Sequence, residues 1–238
     1  MQDFDFVAGE TVLVDKPLEW TSFGVVKKLR WEMKVKKVGH AGTLDPLATG
    51  LLILCTGKST KTIDQIQGKI KEYEGEMVIG ATTASYDLET EIENQVDISH
   101  ITEQNILDLL PQFTGKIMQV PPMHSAIKVN GVRVYKHARK GKEVKIDPRE
   151  VEISELEITK IDFPKIQFRM VCTKGTYVRS FVKDFGDALG VGAYMSGLRR
   201  TKIGEYDVKD AKSVEEWIEV IREWRSNQEE QTEEENSK

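Results

Sequence analysis

The segment of residues 39–52 constrains this chain more than any other. It reads GHAGTLDPLATGLL and places one carboxylate, Asp45, among small and turn-forming residues that lead directly into an apolar run. Glycine permits backbone conformations that are closed to other residues, while Pro46 fixes its own φ and pushes Asp45 toward an extended conformation. The segment therefore predicts a carboxylate held in position at the entrance to a buried strand, as nucleophiles often are. An ordinary Asp-Pro surface turn is the alternative.

Composition bounds the class of protein. The 238 residues suffice for one or two domains with a sizeable core. The longest apolar run, residues 51–55, is far shorter than the roughly 20 residues of a membrane-spanning helix, and the N-terminus has no basic region followed by an apolar one. Cys55 and Cys172 lie in apolar stretches, which predicts reduced core thiols rather than disulfides or a zinc site. We therefore expect a cytoplasmic protein without membrane segments or structural zinc.

Charge is distributed unevenly along the chain. The net charge of −5 hides two basic segments, because residues 16–61 carry nine Lys and Arg against three acids and residues 124–149 carry eight against two. Residues 87–108 carry seven acids and no Lys or Arg, and residues 213–238 carry nine Glu against three basic residues. One face of such a protein can bind RNA phosphates while another repels them. Lysines scattered over a solvated surface are the alternative.

The hydrophobic pattern predicts a mixed α+β protein. Apolar runs that are continuous or alternate with polar residues predict strands, at residues 11–14, 51–55, 71–81, 150–161 and 165–173. Helical spacing of apolar residues predicts helices from Ser22, at about 102–110 and at 176–189. In the first of these helices, an apolar stripe with polar breaks is formed by Phe23, Val26, Leu29, Arg30 and Met33. Strands outnumber the long helices and do not alternate strictly with them, which argues against a doubly wound parallel sheet.

The C-terminal residues divide into a helix and a tail. Ser213 and Glu216 have the spacing of a capping box and precede apolar residues at helical spacing, so residues 213–225 should form a helix packed on the body. Residues 226–238 contain no apolar side chain and should form a disordered acidic tail. The preceding residues 1–212 form the expected main domain.

Five further blocks of sequence stand in a fixed order around the Asp45 segment. They are DKP at 15–17, KEY at 71–73, PPMHSAIK at 121–128, KGTYVR at 174–179 and LRRT at 198–201. Together with the segment of residues 39–52 they resemble the TruB family of tRNA pseudouridine synthases, in which a GHxGTLDPxATGxL segment carries the catalytic aspartate. The resemblance covers about residues 11–204 and lapses at the C-terminus.

The resemblance implies a fold and a reaction. The fold is that of pseudouridine synthases, a mixed central sheet with a catalytic cleft flanked by helices and loops, within residues 1–212. The reaction is isomerisation of uridine to pseudouridine at position 55 in the T-loop of tRNA, after the base has been flipped out of its stack. Because the isomerisation changes no redox state and needs no group donor, neither a cofactor nor a metal is expected. The implied partner is the T-arm of tRNA, bound by a monomer.

Three residues are implied in the chemistry. Asp45 is the nucleophile, and whether its carboxylate attacks ribose C1′ or the uracil ring, or assists glycal formation, stays open. Arg179 matches the family arginine that pairs with the aspartate, and a neighbouring cation favours the ionised carboxylate. Tyr73 matches the family tyrosine that stacks on the target base and can remove the C5 proton. From residue type alone, the alternatives are an exposed helix arginine and an aromatic residue filling a strand face.

Four further residues are implied in substrate binding. His40 is similar to the family histidine that fills the space left by the flipped base, and Leu198 to the leucine that packs against the uracil. Tyr177, in the KGTYVR block, is assigned with them. Lys16 matches a family lysine near the aspartate loop, where its charge can support either the fold or the phosphate backbone. A loop histidine and a core leucine are the alternatives for His40 and Leu198.

The basic segment of residues 124–149 is implied to be an RNA-gripping insertion. Lys128, Arg133, Lys136 and Arg139 are assigned to the RNA backbone. Phosphate contacts of this kind supply affinity and carry little sequence information.

Other functions are less consistent with the residues. A P-loop would require a glycine where Leu52 stands before Gly57-Lys58-Ser59, so nucleotide hydrolysis is not expected. A non-catalytic RNA-binding module or tRNA-folding chaperone predicts loss of the nucleophile, and Asp45 is present, although a chaperone role can coexist with catalysis. Many bacterial family members continue into a PUA-type domain, whereas about thirty-five residues follow Ile203 here, too few for that fold.

Overall fold

A computed structural model of the protein describes residues 4–123, 128–129, 132–134 and 144–236. The chain forms two compact units. The first unit contains the residues up to Lys69 and those from Arg199 onwards, and the second contains residues 70–198.

Strands and short helices alternate irregularly along the described residues. In chain order the elements are β1 (Thr11–Lys16), α1 (Ser22–Met33), β2 (Val38–His40), β3 (Ala48–Thr56), α2 (Ile63–Gly68), β4 (Lys71–Ile79), β5 (Thr82–Thr83), β6 (Ile92–Glu93), α3 (Glu103–Phe113), β7 (Gly115–Gln119), β8 (Lys128–Val129), β9 (Val132–Arg133), β10 (Arg149–Asp162), β11 (Lys165–Cys172), α4 (Val178–Leu189), β12 (Ala193–Ile203), β13 (Tyr206–Asp207) and α5 (Val214–Asn236). Short 3₁₀ helices cover Gly57–Thr62 and Val208–Asp210. The five strand predictions and all four helix predictions correspond to elements in this order.

The first unit is built around β3, and each face of this strand packs in a different hydrophobic core. β1 pairs with β3 in antiparallel register, so that Lys16 lies opposite Gly50. Because successive side chains of a strand point to opposite faces, Leu52 and Leu54 enter a core with α1 and α5, while Leu51, Ile53 and Cys55 enter a second core with α2. All five side chains are fully buried, which is why the sequence shows a continuous apolar run.

Helix α1 buries a different stripe from the predicted one. Its buried apolar residues are Val25, Val26, Leu29 and Met33. Phe23 is 69% exposed and Arg30 is exposed, so the predicted stripe does not coincide with the buried face. At 100° per residue Phe23 and Arg30 fall on the same side of the helix, about 80 to 100° around the axis from Ser22, whose side chain is buried.

Helix α5 is capped and packed as predicted. The N–H of Ser213 donates to Glu216 Oε2 at 2.7 Å and the N–H of Glu216 donates to Ser213 Oγ at 3.1 Å, which is a capping box. Trp217 is buried in the first core and donates from Nε1 to the carbonyl of Leu13 at 2.7 Å. These contacts anchor the helix on β1.

The same helix is longer than predicted. It continues to Asn236, whereas the sequence predicted an end at residue 225 and a disordered tail from residue 226. Glutamate and glutamine are good helix formers, and no glycine or proline interrupts them. Arg225 also pairs with Glu229 one turn later at 3.5 Å. Absence of apolar residues removes a packing face, but it does not forbid helical backbone.

The second unit is an antiparallel sheet with two helices. Strand order β4-β11-β10-β7 follows the hydrogen-bonded pairs, with Tyr73 opposite Met170. Helices α3 and α4 contribute to an aromatic cluster with the sheet, in which neighbouring ring centroids are 5.3 to 5.7 Å apart. Its members are Phe113, Phe168, Phe181 and Phe185. Helix α4 ends at Gly190, which adopts φ +78°.

The α+β fold class with a mixed central sheet and flanking helices is confirmed. Cys55 and Cys172 are buried and not bridged to each other, in agreement with the prediction. Among the described helices, none combines the length and the apolar character needed to span a bilayer.

Candidate active site

Asp45 lies in the loop between β2 and β3, and this loop is bonded to the start of α1. Ser22 Oγ accepts from the N–H of Leu44 at 2.8 Å and donates to the carbonyl of Leu44 at 2.9 Å. The N–H of Glu19 donates to the carbonyl of Pro46 at 2.9 Å. Both neighbours of Asp45 are therefore fixed, and the aspartate itself is partly buried. This is the held carboxylate that the sequence predicts.

Lys16 stabilises the loop from beneath. Its side chain is fully buried, and Nζ donates to the carbonyls of Pro17, Trp20 and Pro46 at 2.9, 2.6 and 3.2 Å. Burial lowers the pKa of Lys16 to about 8, with the nearby Asp45 carboxylate opposing the shift. Of the two roles that the sequence left open, these contacts favour support of the fold over contact with phosphate.

The shifted pKa of Lys16 predicts a pH dependence of stability. An unfolded lysine titrates near pH 10.5 and the folded one near pH 8, so between these values the unfolded state binds more protons and raising the pH favours folding. Relative to a Lys16→Met variant, the free energy of unfolding of the wild type should therefore rise across this window, by at most about 3 kcal/mol. Urea denaturation at about pH 7, 9 and 10.5 measures it. Exposed Lys61→Met should show no such trend, and a constant wild-type to Lys16→Met difference would contradict the assignment.

Arg200 holds the other side of the Asp45 loop. Its side chain is 2% exposed, with Nε donating to the carbonyl of Leu51 at 2.8 Å and Nη2 to that of Gly42 at 3.1 Å. The close approach requires glycine at position 50, where φ is +97° and an added Cβ would lie 2.3 Å from the Arg200 carbonyl oxygen. Lys16 and Arg200 thus place two buried cations beside the loop that carries the carboxylate.

Arg199 and His40 complete the surroundings in the first unit. Arg199 forms a two-pronged pair with Asp15, at 3.0 and 2.7 Å, which ties the LRRT block to the DKP block. His40, at the end of β2, is partly buried. Burial lowers its pKa, a backbone hydrogen bond with Gly42 opposes the shift, and the charge of Arg200 adds to it. Both influences that lower the pKa favour the neutral imidazole.

Tyr73 lies on the buried face of β4 in the second unit. Strand residues Lys71, Tyr73 and Met77 are buried and alternate with more exposed ones. The Tyr73 side chain is 9% exposed, so both a strand-face aromatic and a base-stacking residue remain compatible with its position.

Arg179, in the first turn of α4, is buried rather than exposed. Its side chain is 3% exposed, and Nη1 lies 3.3 Å from Asp87 Oδ2 and donates to the carbonyl of Ser85 at 3.2 Å. Asp87 is 1% exposed and its Oδ1 accepts from the N–H of Glu89 at 3.0 Å. A buried ion pair therefore orients the guanidinium, and the exposed-arginine alternative is wrong.

Tyr177 and Leu198 also belong to the second unit. The N–H of Tyr177 donates to Gln119 Oε1 at 2.7 Å and its carbonyl accepts from Gln119 Nε2 at 3.0 Å, which fixes the start of α4. The Arg149 guanidinium lies 5.3 Å from the Tyr177 ring centroid. Leu198 is half-buried in β12.

The predicted RNA-gripping residues are mostly outside the described part of the chain. The structure describes only the backbone of Lys128 and Arg133. These two residues lie opposite each other in the antiparallel β8–β9 pair. Lys136 and Arg139 lie outside the described residues.

Both parts of the chain match one family. Residues 30–178 match the N-terminal domain of the TruB family pseudouridylate synthases, and residues 179–234 match the tRNA pseudouridylate synthase B C-terminal domain. The chain belongs to the TruB family. The predicted family and enzyme class are thereby confirmed, and this TruB enzyme is a pseudouridine synthase, an isomerase.

Relatives in this TruB group extend over nearly the same length. The chain is 53% identical over 214 residues to tRNA pseudouridine synthase B of Flavobacterium johnsoniae, a match that covers 87% of this chain and 93% of the relative. It is 50% identical to the protein of the same name from Parabacteroides distasonis, covering 89% and 93%.

Solved structures support the fold of this TruB enzyme. A Cbf5-Nop10-Gar1 complex contains a chain with a TM-score of 0.71 and 28% identity, and the match covers 93% of this chain and 57% of that one. An H/ACA RNP bound to a substrate RNA containing 2′-deoxyuridine gives a TM-score of 0.69 and 25% identity, covering 92% and 55%. The present chain spans just over half the length of those two chains.

Several residues that hold the candidate side chains in each unit are not predicted from the sequence. Arg199, Arg200 and Asp15 lie within the LRRT and DKP blocks, so the family resemblance could have indicated them. No block of the resemblance contains Asp87. It begins the acidic stretch that predicts an RNA-repelling face. The partnership of Asp87 with Arg179 depends on two residues far apart in the sequence.

The first unit presents a carboxylate in a loop whose neighbouring backbone groups are held by hydrogen bonds. The contacts from Ser22, Lys16 and Arg200 all reach backbone groups of the loop. Such an arrangement can position an ionised carboxylate against an electrophilic carbon while nearby cations favour its charge.

Proposed function

We propose that this protein converts uridine to pseudouridine at position 55, in the T-loop of tRNA, with Asp45 as the nucleophile. The observation that carries the proposal is the fixed Asp45 loop with its two buried cations, in a chain whose curated relatives are named tRNA pseudouridine synthase B. We further propose that it acts as a monomer, in the cytoplasm, on the T-arm of its substrate.

The reaction balances without an external reagent. The N1–C1′ glycosidic bond breaks, the uracil rotates, and a C5–C1′ bond forms; C5 then loses its proton and N1 gains one. Attack at C1′, attack on the ring and assistance to glycal formation all require an ionised carboxylate next to the flipped nucleotide. The buried ammonium of Lys16 supports that charge state, because Asp45 and Lys16 interact favourably.

The proposal assigns separate tasks to the second unit. Arg179 is the cation that pairs with Asp45, and its orientation by Asp87 and by the Ser85 carbonyl supports this role. Tyr73 stacks on the uracil and removes the C5 proton, which suits an aromatic ring with a hydroxyl group. Tyr177 and Leu198 complete the binding of the flipped base.

Binding of the RNA is assigned to residues of both units. A neutral His40 fills the space left by the flipped base, in keeping with its lowered pKa. Lys128, Arg133, Lys136 and Arg139 contact the phosphate backbone. Lys16 is placed beneath the Asp45 loop as a positioning residue.

The position of the modified base can be tested directly. Unmodified tRNA transcript incubated with the protein should contain pseudouridine at position 55 alone, as mapped by pseudouridine-specific chemical derivatisation and primer extension. A transcript with cytidine at position 55 should yield no pseudouridine, since no other uridine is expected to reach the carboxylate. Modification at another position would overturn the choice of site. Absence of product despite tRNA binding would leave a binding module or folding chaperone instead.

A further inference from the structure

The solvent face of α1 consists only of aromatic and basic side chains, apart from one glycine. The exposed residues are Phe23, Lys27, Arg30 and Trp31, followed by Lys34 at the cap. Trp31 is 71% exposed. The single acid of the helix, Glu32, is 2% exposed and is paired with Lys28 at 2.9 Å. We call this set of exposed residues the α1 face.

An exposed tryptophan among cations is typical of a binding surface. Neither Trp31 nor Phe23 contributes a fully buried ring to the core, so packing does not account for these residues. Lys28 Nζ lies 5.5 Å from the centroid of the Trp31 ring, which brings positive charge to the aromatic surface. Aromatic rings interleaved with cations are the combination by which proteins hold unpaired bases and their phosphates.

A cavity of about 450 Å³ lies beside Trp31. It is lined by Arg30, Trp31, Glu32, Lys34, Arg222 and Arg225. Arg222 of α5 lies 3.6 Å from Glu32 and is 64% exposed, so its charge reaches the surface. The four cations thus outnumber the carboxylates they pair with, since Glu32 is shared with Lys28 and Arg225 pairs with Glu229. The excess positive charge and the adjacent indole fit an anionic ligand with a planar ring, and the volume lies within the range of small-ligand pockets.

The α1 face starts at the Asp45 loop. Ser22, the first residue of the helix, is bonded to both backbone groups of Leu44. From Phe23 to Lys34 the helix rises by about 17 Å. That length is sufficient for contact with several successive phosphates of one RNA strand. An RNA strand whose target nucleotide reaches Asp45 can therefore continue along this helix.

We infer that the α1 face is a second RNA-binding surface, in addition to the predicted basic insertion. Lys27, Arg30 and Lys34 contact the sugar-phosphate backbone next to the target nucleotide, and Trp31 stacks on an unpaired base with Arg222 beside it. This inference rests on the proposed function, because it places the target uridine at Asp45.

Two variants separate the charge from the stacking. The first replaces three cations, Lys27→Gln, Arg30→Gln and Lys34→Gln, and the second is Trp31→Ala. The matched control is Lys160→Gln with Phe163→Ala in the β10–β11 hairpin, where the lysine side chain is 59% exposed and the phenylalanine 40%. All are made in an Asp45→Asn background, and the Kd for unmodified tRNA is measured by filter binding at several salt concentrations.

Each variant has its own expected signature. The triple variant should reduce the slope of log Kd against log salt by about 2 to 3 and weaken binding most at low salt. Trp31→Ala should raise Kd roughly tenfold at every salt concentration, with the slope unchanged. The control should bind as the parent does. Circular dichroism and thermal unfolding check that all variants remain folded.

The outcomes decide the inference independently of catalysis. Wild-type Kd in both variants would overturn it and leave an acidic protein surface as the occupant of the α1 face. A reduced slope with no effect of Trp31→Ala would also overturn it, because general electrostatics would then suffice. Since binding is measured without the nucleophile, failure to form pseudouridine would count against the proposed function and not against this surface.

Discussion

An Asp45→Asn variant is expected to form pseudouridine at least about 10⁴-fold more slowly than the wild type while binding tRNA with unchanged affinity. The amide has nearly the shape of the carboxylate but cannot act as a nucleophile or carry its charge. The loop should keep its conformation, because Ser22 and Arg200 bond to backbone groups of the loop that the substitution does not change. The loss should therefore fall on the chemical step.

Single-turnover kinetics with excess enzyme isolate that step. A tRNA carrying tritium at C5 of uridine reports it directly, since C5 must lose its hydrogen to restore the ring double bond after the C5–C1′ bond has formed. Asp210→Asn is the matched control, an exposed aspartate of the same unit that is expected to leave the rate unchanged. The binding affinity of each protein is measured by filter binding on the same RNA.

A residual rate within tenfold of the wild type would contradict the assignment of the nucleophile. A large rate loss accompanied by an equal loss of tRNA affinity would instead place Asp45 in RNA binding. Only the combination of lost chemistry with retained affinity supports the proposed role.

The elements that the sequence predicted well are those with a strong local pattern. β4, β10 and β11 alternate apolar and polar residues because one face of each strand is buried. The capping box at Ser213 and the glycine after α4 mark helix ends through groups within a few residues. In each case the interactions that define the element are close in the sequence.

The side of α1 that faces the core could not be deduced in the same way. Phe23 is as apolar as its buried neighbours, and the buried side of the helix is the one that packs against β3 and α5, which are distant in the sequence. A stripe chosen by residue type alone therefore included two residues on the wrong side. The RNA binding proposed for the α1 face accounts for the exposure of Phe23 and Trp31, whereas packing in the core does not.

The candidate site was predicted to the extent that family blocks reach it. Asp45, Lys16 and Arg179 are indicated by their blocks. The burial of Lys16 and Arg179 is not, because Lys16 also bonds to the distant Pro46 and Arg179 to Ser85 and Asp87. Asp87 was missed for the same reason. Its acidic neighbours are exposed, and only the fold distinguishes the first acid of the stretch from the rest.

The buried pair of Asp87 with Arg179 predicts a large loss of stability on removal of one partner. We expect Asp87→Ala to lower the free energy of unfolding by about 3 to 5 kcal/mol. Both side chains are at most 3% exposed and their charged atoms lie 3.3 Å apart, so the variant would leave a guanidinium in the interior without this carboxylate. Urea denaturation, with the midpoint and the m-value fitted separately, measures the effect.

A double variant distinguishes the ion pair from simple loss of packing. Asp87→Leu with Arg179→Met removes both charges and keeps apolar volume, so it should be less destabilised than Asp87→Ala even though two side chains are changed. Asp97→Ala is the control, because Asp97 is exposed and bonded only to nearby residues such as Ser99; its loss should cost about 1 kcal/mol or less. Equal destabilisation by Asp87→Ala and by the double variant would show that packing, and not an uncompensated charge, accounts for the loss. A less destabilised but catalytically inactive double variant would show that the charge of Arg179 is needed for catalysis rather than for stability.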